Sequence, residues 1–237
     1  MNFPTRWLDG IQAVTFDAGG TLLEPWPSVG HVYSDVAARH GRGDISPELL
    51  NRRFADAWRA KQNFEHTRAD WRRLVDQTFA GLFAEPPTPA LFDALYHRFT
   101  EPDAWRVFED VFSTLAALRR RGLKLGIVSN WDERLRPLLR RLHLDGHFEA
   151  VVVSLEAGCT KPAPDIFRQA AARLNVPSAA MLHVGDSPTE DLAGARAAGM
   201  RAVLVDRRAE ESSGAVVTTL AELASSLAAP GASADAD

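Results

Sequence analysis

The hydrophobic pattern changes period along the chain, and the changes mark out its architecture. Residues 11–16 form a short apolar run that reads as a strand, and residues 22–27, with Pro25 and Pro27, read as an irregular crossing segment. From about residue 28 to about 105 the apolar positions recur at helical spacing, with no convincing strand. Four helices fit there: 29–40, 47–64, 69–83 and 89–99. Ser46 before Pro47 and Thr88 before Pro89 supply N-cap hydroxyls ahead of a proline at the first helical position, and Gly41 and Gly43 end the first helix. The shared apolar stripe, including Phe54, Ala57, Trp58, Trp71, Leu74, Val75, Phe79, Leu91 and Leu95, predicts a small helical core. Packing is the favoured reading of its aromatic members over ligand stacking.

Beyond residue 105 helices and strands alternate. A helix over 111–121, stopped by Gly122, precedes a strand over 123–129, then helix 133–142, strand 150–154, helix 164–174, strand 180–184, helix 189–198 and strand 201–205. Near-continuous apolar strands between helices predict a parallel sheet covered on both faces. The expected fold is therefore α/β, a doubly wound parallel sheet with a helical domain inserted after the first strand. Residues 1–27 and 106–229 make the core, 28–105 the insertion, and 230–237 a disordered tail after a last helix around 220–227.

Composition narrows the function. The 237 residues, 46% hydrophobic and 24% charged, suit a soluble globular protein. A formal charge of −4 argues against an electrostatically driven nucleic-acid partner. No apolar run is long enough to span a bilayer, and the first ten residues lack a signal-peptide core, so the cytoplasm is the expected compartment. Cys159 is alone, which excludes an intrachain disulfide, and it reads as a packing residue rather than a nucleophile. Oligomeric state has no signal in the sequence.

In open α/β sheets ligands bind beyond the carboxyl ends of the strands, near the switch in strand order. The chemically suggestive residues fall there. Asp17 follows the first strand in Asp-Ala-Gly-Gly-Thr-Leu, where a carboxylate in a glycine-paired turn is a candidate nucleophile. Ser129 and Asn130 end the second strand and offer hydrogen bonds to an anion. Lys161 follows the third, in Lys-Pro-Ala-Pro-Asp-Ile-Phe. Asp186 and Asp191 follow the fourth, in Gly-Asp-Ser-Pro-Thr-Glu-Asp, where single carboxylate oxygens suit Mg²⁺.

These four segments, at this order and spacing, resemble motifs I to IV of the haloacid dehalogenase-like hydrolase superfamily. The resemblance runs from about residue 13 to 205. Ser-Asn-Trp-Asp-Glu-Arg-Leu further resembles the hydrolase-domain-containing branch of subfamily IA, whose helical insertion is a cap of type C1. The resemblance implies that Asp17 attacks phosphorus to form an aspartyl-phosphate and that Lys161 neutralises charge. It also implies that Gly20, Thr21, Ser129 and Asn130 contact a small phosphorylated metabolite. Mg²⁺ would be held by Asp17, the Gly19 carbonyl and Asp186, with Asp191 acting through water.

One residue departs from the pattern. The phosphatases carry a second aspartate, the usual acid and base, where this chain has Gly19. Either the acid is missing, or glycine serves the backbone by allowing a positive φ. Glu24, near the cap entrance, could replace the acid through water; hydrogen bonding of the crossing segment is its plainer role. Two alternatives stay open. A phosphonoacetaldehyde hydrolase-like enzyme would use a cap lysine, for which Lys61 is the candidate, and a catalytically impaired protein would bind a phosphometabolite or a partner without turnover.

Overall fold

Residues 8–225 are described by a computed structural model. The chain runs from β1 (Ala13–Phe16) through a tight turn into β2 (Leu23–Pro25), then into four helices, α1 (Val29–Arg39), α2 (Pro47–Ala60), α3 (Arg68–Phe79) and α4 (Pro89–Arg98). It returns along β3 (Trp105–Val107), which pairs antiparallel with β2, so the helical excursion leaves and re-enters at one point. There follow α5 (Val111–Arg120), β4 (Lys124–Ser129), α6 (Leu135–Arg141), β5 (Ala150–Val153), α7 (Ser154–Ala157) and α8 (Pro164–Leu174). The remainder is β6 (Met181–Gly185), a π-helical turn at Pro188–Ala193 running into α9 (Gly194–Ala197), β7 (Arg201–Val205), β8 (Val216–Val217) and α10 (Ala221–Ser225).

Six strands form one parallel sheet in the order β5-β4-β1-β6-β7-β8. The period of two along each strand sorts its side chains onto two faces. Val14, Phe16, Ile127, Val184 and Val205 join one apolar cluster with Leu115 and Leu118 of α5. Ala13, Val128, Val152 and Met181 join the other, with Ile166 and Phe167 of α8. The sheet is thus wound on both faces, as its apolar strands predict. A third cluster, around Tyr33, Leu50, Phe79 and Leu91, belongs to α1–α4. β1 lies between β4 and β6, with Phe16 level with Ile127 on one side and Val184 on the other. That is the switch in strand order, and Asp17 stands at its mouth.

The structure corrects several boundaries. The second helix ends at Ala60 rather than at 64, because Lys61 turns extended (φ −60°, ψ 137°) and Asn63 enters the left-handed region at φ 47°. Phe64 kept the apolar pattern going because it packs from the following loop onto Trp58 and Trp71. The third helix runs 68–79: Thr67 and Asp70 form a capping box at its start, and Ala80 breaks it four residues early. The helix expected over 133–142 contracts to α6, and the strand expected over 150–154 stops at Val153 because Ser154 begins α7. β2, β3 and β8 had no expected counterpart. The predicted last helix survives as α10, and residues 226–227 and the tail over 230–237 lie outside the described residues. Among the described residues no helix is long and apolar enough to cross a membrane.

Candidate active site

Asp17 leaves β1 with its backbone N–H donating to the Val184 carbonyl at 2.9 Å, which fixes the turn against β6. Lys161 Nζ stands 2.8 Å from Asp17 Oδ1 and 2.5 Å from Asp191 Oδ1, its side chain only 1% exposed. Burial alone would drive the ammonium to shed its proton, but the attraction of Asp17 and Asp191 overrides it and holds the Lys161 pKa above its ordinary value. Asp17 shows the reverse balance. Burial raises its carboxyl above the usual range, Lys161 opposes this, and Asp191 adds repulsion. Oxygens of Asp17, Asp186 and Asp191 lie within 4.8 Å of one another, so three carboxylates share one lysine. Burial and the two neighbouring carboxylates push Asp186 up to about 7. This excess of negative charge, presented as single carboxylate oxygens, fits a hard divalent cation.

Asp191 owes its position to the π turn. The Leu192 N–H bonds the Ser187 carbonyl five residues back at 3.1 Å, and Asp191 Oδ2 accepts the Ser187 N–H at 2.9 Å. This draws Asp191 so close to β6 that a Cβ on Gly185 would sit 2.1 Å from its Cγ; only glycine fits. Asp191 Oδ1 also meets His183 Nε2 at 3.0 Å, and His183 Nδ1 meets Thr15 Oγ1 at 3.0 Å. Burial works against the Asp191 carboxylate, yet Lys161 and the His183 hydrogen bond outweigh it and keep its pKa well below the usual range. An ionised Asp191 only accepts, so His183 Nε2 carries the hydrogen directed at it.

The other predicted residues divide. Ser129 is buried at the end of β4 and lines a cavity above Asp17. Asn130 lines it too, but its side chain clasps the Lys161 backbone, Oδ1 accepting the Lys161 N–H at 2.7 Å and Nδ2 donating to its carbonyl at 3.0 Å. Gly20 lines the cavity at φ 76°, and a Cβ there would lie 2.3 Å from Asp186 Oδ2. Its N–H is taken by the Leu23 carbonyl at 2.8 Å. Thr21 is fully buried, outside the set that lines the cavity, and its hydroxyl has no hydrogen-bond partner among the described residues. Gly19 needs no positive φ, which belongs to Gly20, and a Cβ on Gly19 would make only an ordinary 3.4 Å contact with the Trp131 ring. Backbone geometry therefore does not require glycine at position 19.

Glu24 pairs with Arg106 across the β2–β3 ribbon, its plainer predicted role. Lys61 lays its ammonium 4.0 Å from the Trp58 ring centroid and is not among the residues lining the cavity. Cys159 packs beside the α8 cluster, and burial pushes its thiol up, as expected for a residue that packs rather than reacts.

Sequence reasoning missed His183, Arg134, His66 and the cavity. His183 carried a signal: a polar residue inside a wholly buried strand must find partners. Arg134 is 7% exposed, bound by Asp132 through Nη2–Oδ2 at 2.6 Å, and donates Nη1 to the Tyr96 carbonyl of α4 at 3.0 Å. It thereby ties the loop after β4 to the inserted helices. The cavity, about 550 Å³, has Asp17, Ser129 and Asp186 on its floor and side chains of α1–α4 as its walls.

A family model described as haloacid dehalogenase-like hydrolase matches residues 11–199. The chain is 36% identical over 219 residues to haloacid dehalogenase-like hydrolase domain-containing protein 3 of Danio rerio, covering 88% of each chain. Among solved structures it resembles a HAD phosphatase from Thermococcus onnurineus at 28% identity and a TM-score of 0.67, covering 92% of this chain and 98% of that one. A 2-haloacid dehalogenase from Pseudomonas syringae pv. Tomato DC3000 is similar at 27% identity and a TM-score of 0.64, with the same coverage. Agreement over this much of the chain makes it a member of the haloacid dehalogenase-like hydrolase family, and a hydrolase.

Proposed function

We propose that the chain is a phosphatase of a small phosphorylated metabolite that works through an aspartyl-phosphate on Asp17. The observation that carries this reading is the Lys161 ammonium held between Asp17 and Asp191, with Asp186 alongside, on the floor of a cavity. An Asp17 oxygen attacks phosphorus, the bond to the ester oxygen breaks, and its electron pair leaves with that oxygen. Water then attacks the same phosphorus and releases Asp17 and inorganic phosphate. Lys161 offsets charge on the transferred group as a fixed, desolvated cation. Ser129 and the Asn130-braced Lys161 loop orient the phosphoryl oxygens.

The carboxylate cluster suits Mg²⁺: Asp17, Asp186 and the Gly19 carbonyl would hold it, with Asp191 acting through water, and it would supply positive charge beside the transferred group. Residues 28–105 act as the cap that selects the substrate, over the core formed by the described residues on either side of them in the chain. The HAD phosphatase and the 2-haloacid dehalogenase are similar to the chain to nearly the same degree, so the preference for phosphoryl over halide chemistry rests on the residues. Gly19 supplies that preference, since the dehalogenases usually carry an aromatic residue there.

Gly19 has no proton to give the leaving oxygen. Positioned acid catalysis is typically worth about 10²- to 10⁴-fold, roughly 3 to 5 kcal/mol, so esters with poor leaving groups turn over slowly. The test is phosphate release from a panel of phosphorylated metabolites and p-nitrophenyl phosphate, with Mg²⁺ and with EDTA. Release with Mg²⁺ that stops in EDTA is expected; release indifferent to EDTA overturns the site.

A further inference from the structure

One carboxylate in the cavity stands outside the cluster on its floor. Asp17, Asp186 and Asp191 share Lys161 and suit Mg²⁺, whereas Glu190 lines the same cavity from the π turn without belonging to that set. Its N–H donates to Ser187 Oγ and its Oε2 accepts from Asn130 Nδ2, both at 3.1 Å. Asn130 has no amide hydrogen left for a ligand, because the second goes to the Lys161 carbonyl. Glu190 Oε1 makes no hydrogen bond among the described residues and stays accessible, and no Lys, Arg or His among them forms an ion pair with this carboxylate.

The wall above offers no free positive charge. Arg134, its one cationic side chain, is bound by Asp132 and lies 3.7 Å from the Tyr96 ring centroid. Burial pushes His66 down to about 4, so it is neutral at pH 7. The open Tyr33 hydroxyl and the indoles of Trp58 and Trp131 are neutral partners as well. Three rings of the wall already hold cations, Tyr96 and Trp71 under Arg134 and Trp58 under Lys61. Tyr33, Phe54, Trp105 and Trp131 hold none among the described residues.

An open carboxylate and open aromatic rings in one cavity suit an ammonium group, which the full charge attracts from one side and the ring quadrupoles from the other. A phosphate adds negative charge to the floor, so an anionic tail would be repelled by Glu190, and a neutral tail would leave Glu190 without a counter-charge. We propose that the substrate is a phosphate monoester of an amino alcohol, its ammonium held between Glu190 and the aromatic wall. This rests on the phosphatase reading above. An ammonium near the ester oxygen also offsets the charge that oxygen takes as it departs, where Gly19 gives no proton. The phosphorus–oxygen bond to the alcohol breaks, the freed oxygen takes a proton from solvent, and one ester plus one water gives one amino alcohol and one phosphate.

The experiment measures competitive inhibition of p-nitrophenyl phosphate hydrolysis by the full chain, with Mg²⁺. The inhibitors are esters of similar length that differ at the tail: phosphoethanolamine, 2-hydroxyethyl phosphate, n-propyl phosphate and phosphoglycolate. Phosphoethanolamine should have an inhibition constant about tenfold or more below each of the others, the worth of one charge-assisted hydrogen bond. In Glu190→Gln its advantage over n-propyl phosphate should shrink about tenfold; a general loss through Asn130 and the Lys161 loop cancels from that ratio, because both esters meet the same protein. Hydrolysis of p-nitrophenyl phosphate with no preference for phosphoethanolamine overturns the substrate class while sparing the phosphatase. A preference that survives Glu190→Gln in full also overturns it. If that variant is unfolded or inactive, the wild-type comparison decides alone. No hydrolysis of p-nitrophenyl phosphate by the wild type removes the phosphatase reading and this inference with it.

Discussion

Gly19 and Gly20 are neighbours with opposite reasons for being glycine. Gly20 is required by its φ of 76° and by Asp186, whereas the space at Gly19 is open to the Trp131 ring. Gly19→Ala should therefore leave the melting temperature nearly unchanged. Gly19→Asp should raise turnover of alkyl phosphates by up to about 10²- to 10⁴-fold and change p-nitrophenyl phosphate hydrolysis far less. A neutral alanine variant with no gain from aspartate would show that leaving-group protonation does not limit the enzyme. At this scale Asp17 and Asp186 were legible because each directly follows an apolar strand, and Lys161 and Asp191 because of the segments they stand in, Lys-Pro-Ala-Pro-Asp-Ile-Phe and Gly-Asp-Ser-Pro-Thr-Glu-Asp. Asn130 was half legible: its position was plain, but its clasp on the Lys161 backbone depends on two loops meeting. His66 was invisible, since neither its left-handed backbone nor its unmet Nδ1 leaves a mark on spacing.

Among the elements, α3 carries the clearest local test. Asp70, buried in the capping box, accepts from the Thr67 hydroxyl at 2.8 Å and from the backbone N–H groups of Thr67 and Glu65. Burial raises its pKa, but these hydrogen bonds outweigh burial and hold it below the usual carboxylate range. With the folded value below the unfolded value of about 3.9, the stabilisation is fully present above that pH and fades as pH falls through the folded value. Asp70→Asn should thus lower the melting temperature at pH 7, and the gap from wild type should narrow below about pH 4. A gap independent of pH would mean that the carboxylate charge plays no part. Helices announced by a hydroxyl and a proline, α2 and α4, began where expected, because the cap is local chemistry. The β2–β3 ribbon escaped notice, being three residues a side with Pro25 in one strand and its partner 80 residues on.

For the molecule as a whole, the alternation of apolar strands and helices was enough to read a doubly wound sheet. Which strands would be neighbours was not, because register and order depend on contacts between distant segments. The same holds for the cavity. The aromatic stripe of the inserted helices reads as core from its spacing, and Phe79 and Leu91 do lie in that core, while Phe54 and Trp71 both pack against it and, with Trp58, line the space above Asp17. Arg134 joins the two halves through Asp132 and Tyr96, a link between residues 38 apart that no period foretells. In the proposed reaction this assembly makes Asp17 the nucleophile toward phosphorus. The most direct test of that role is the rate of phosphate release from p-nitrophenyl phosphate, with Mg²⁺, by Asp17→Asn beside the wild type, with melting temperatures taken in parallel. A fall of at least about 10³-fold in a protein that melts normally is expected for a lost nucleophile; an Asp17→Asn protein that keeps the wild-type rate would contradict it.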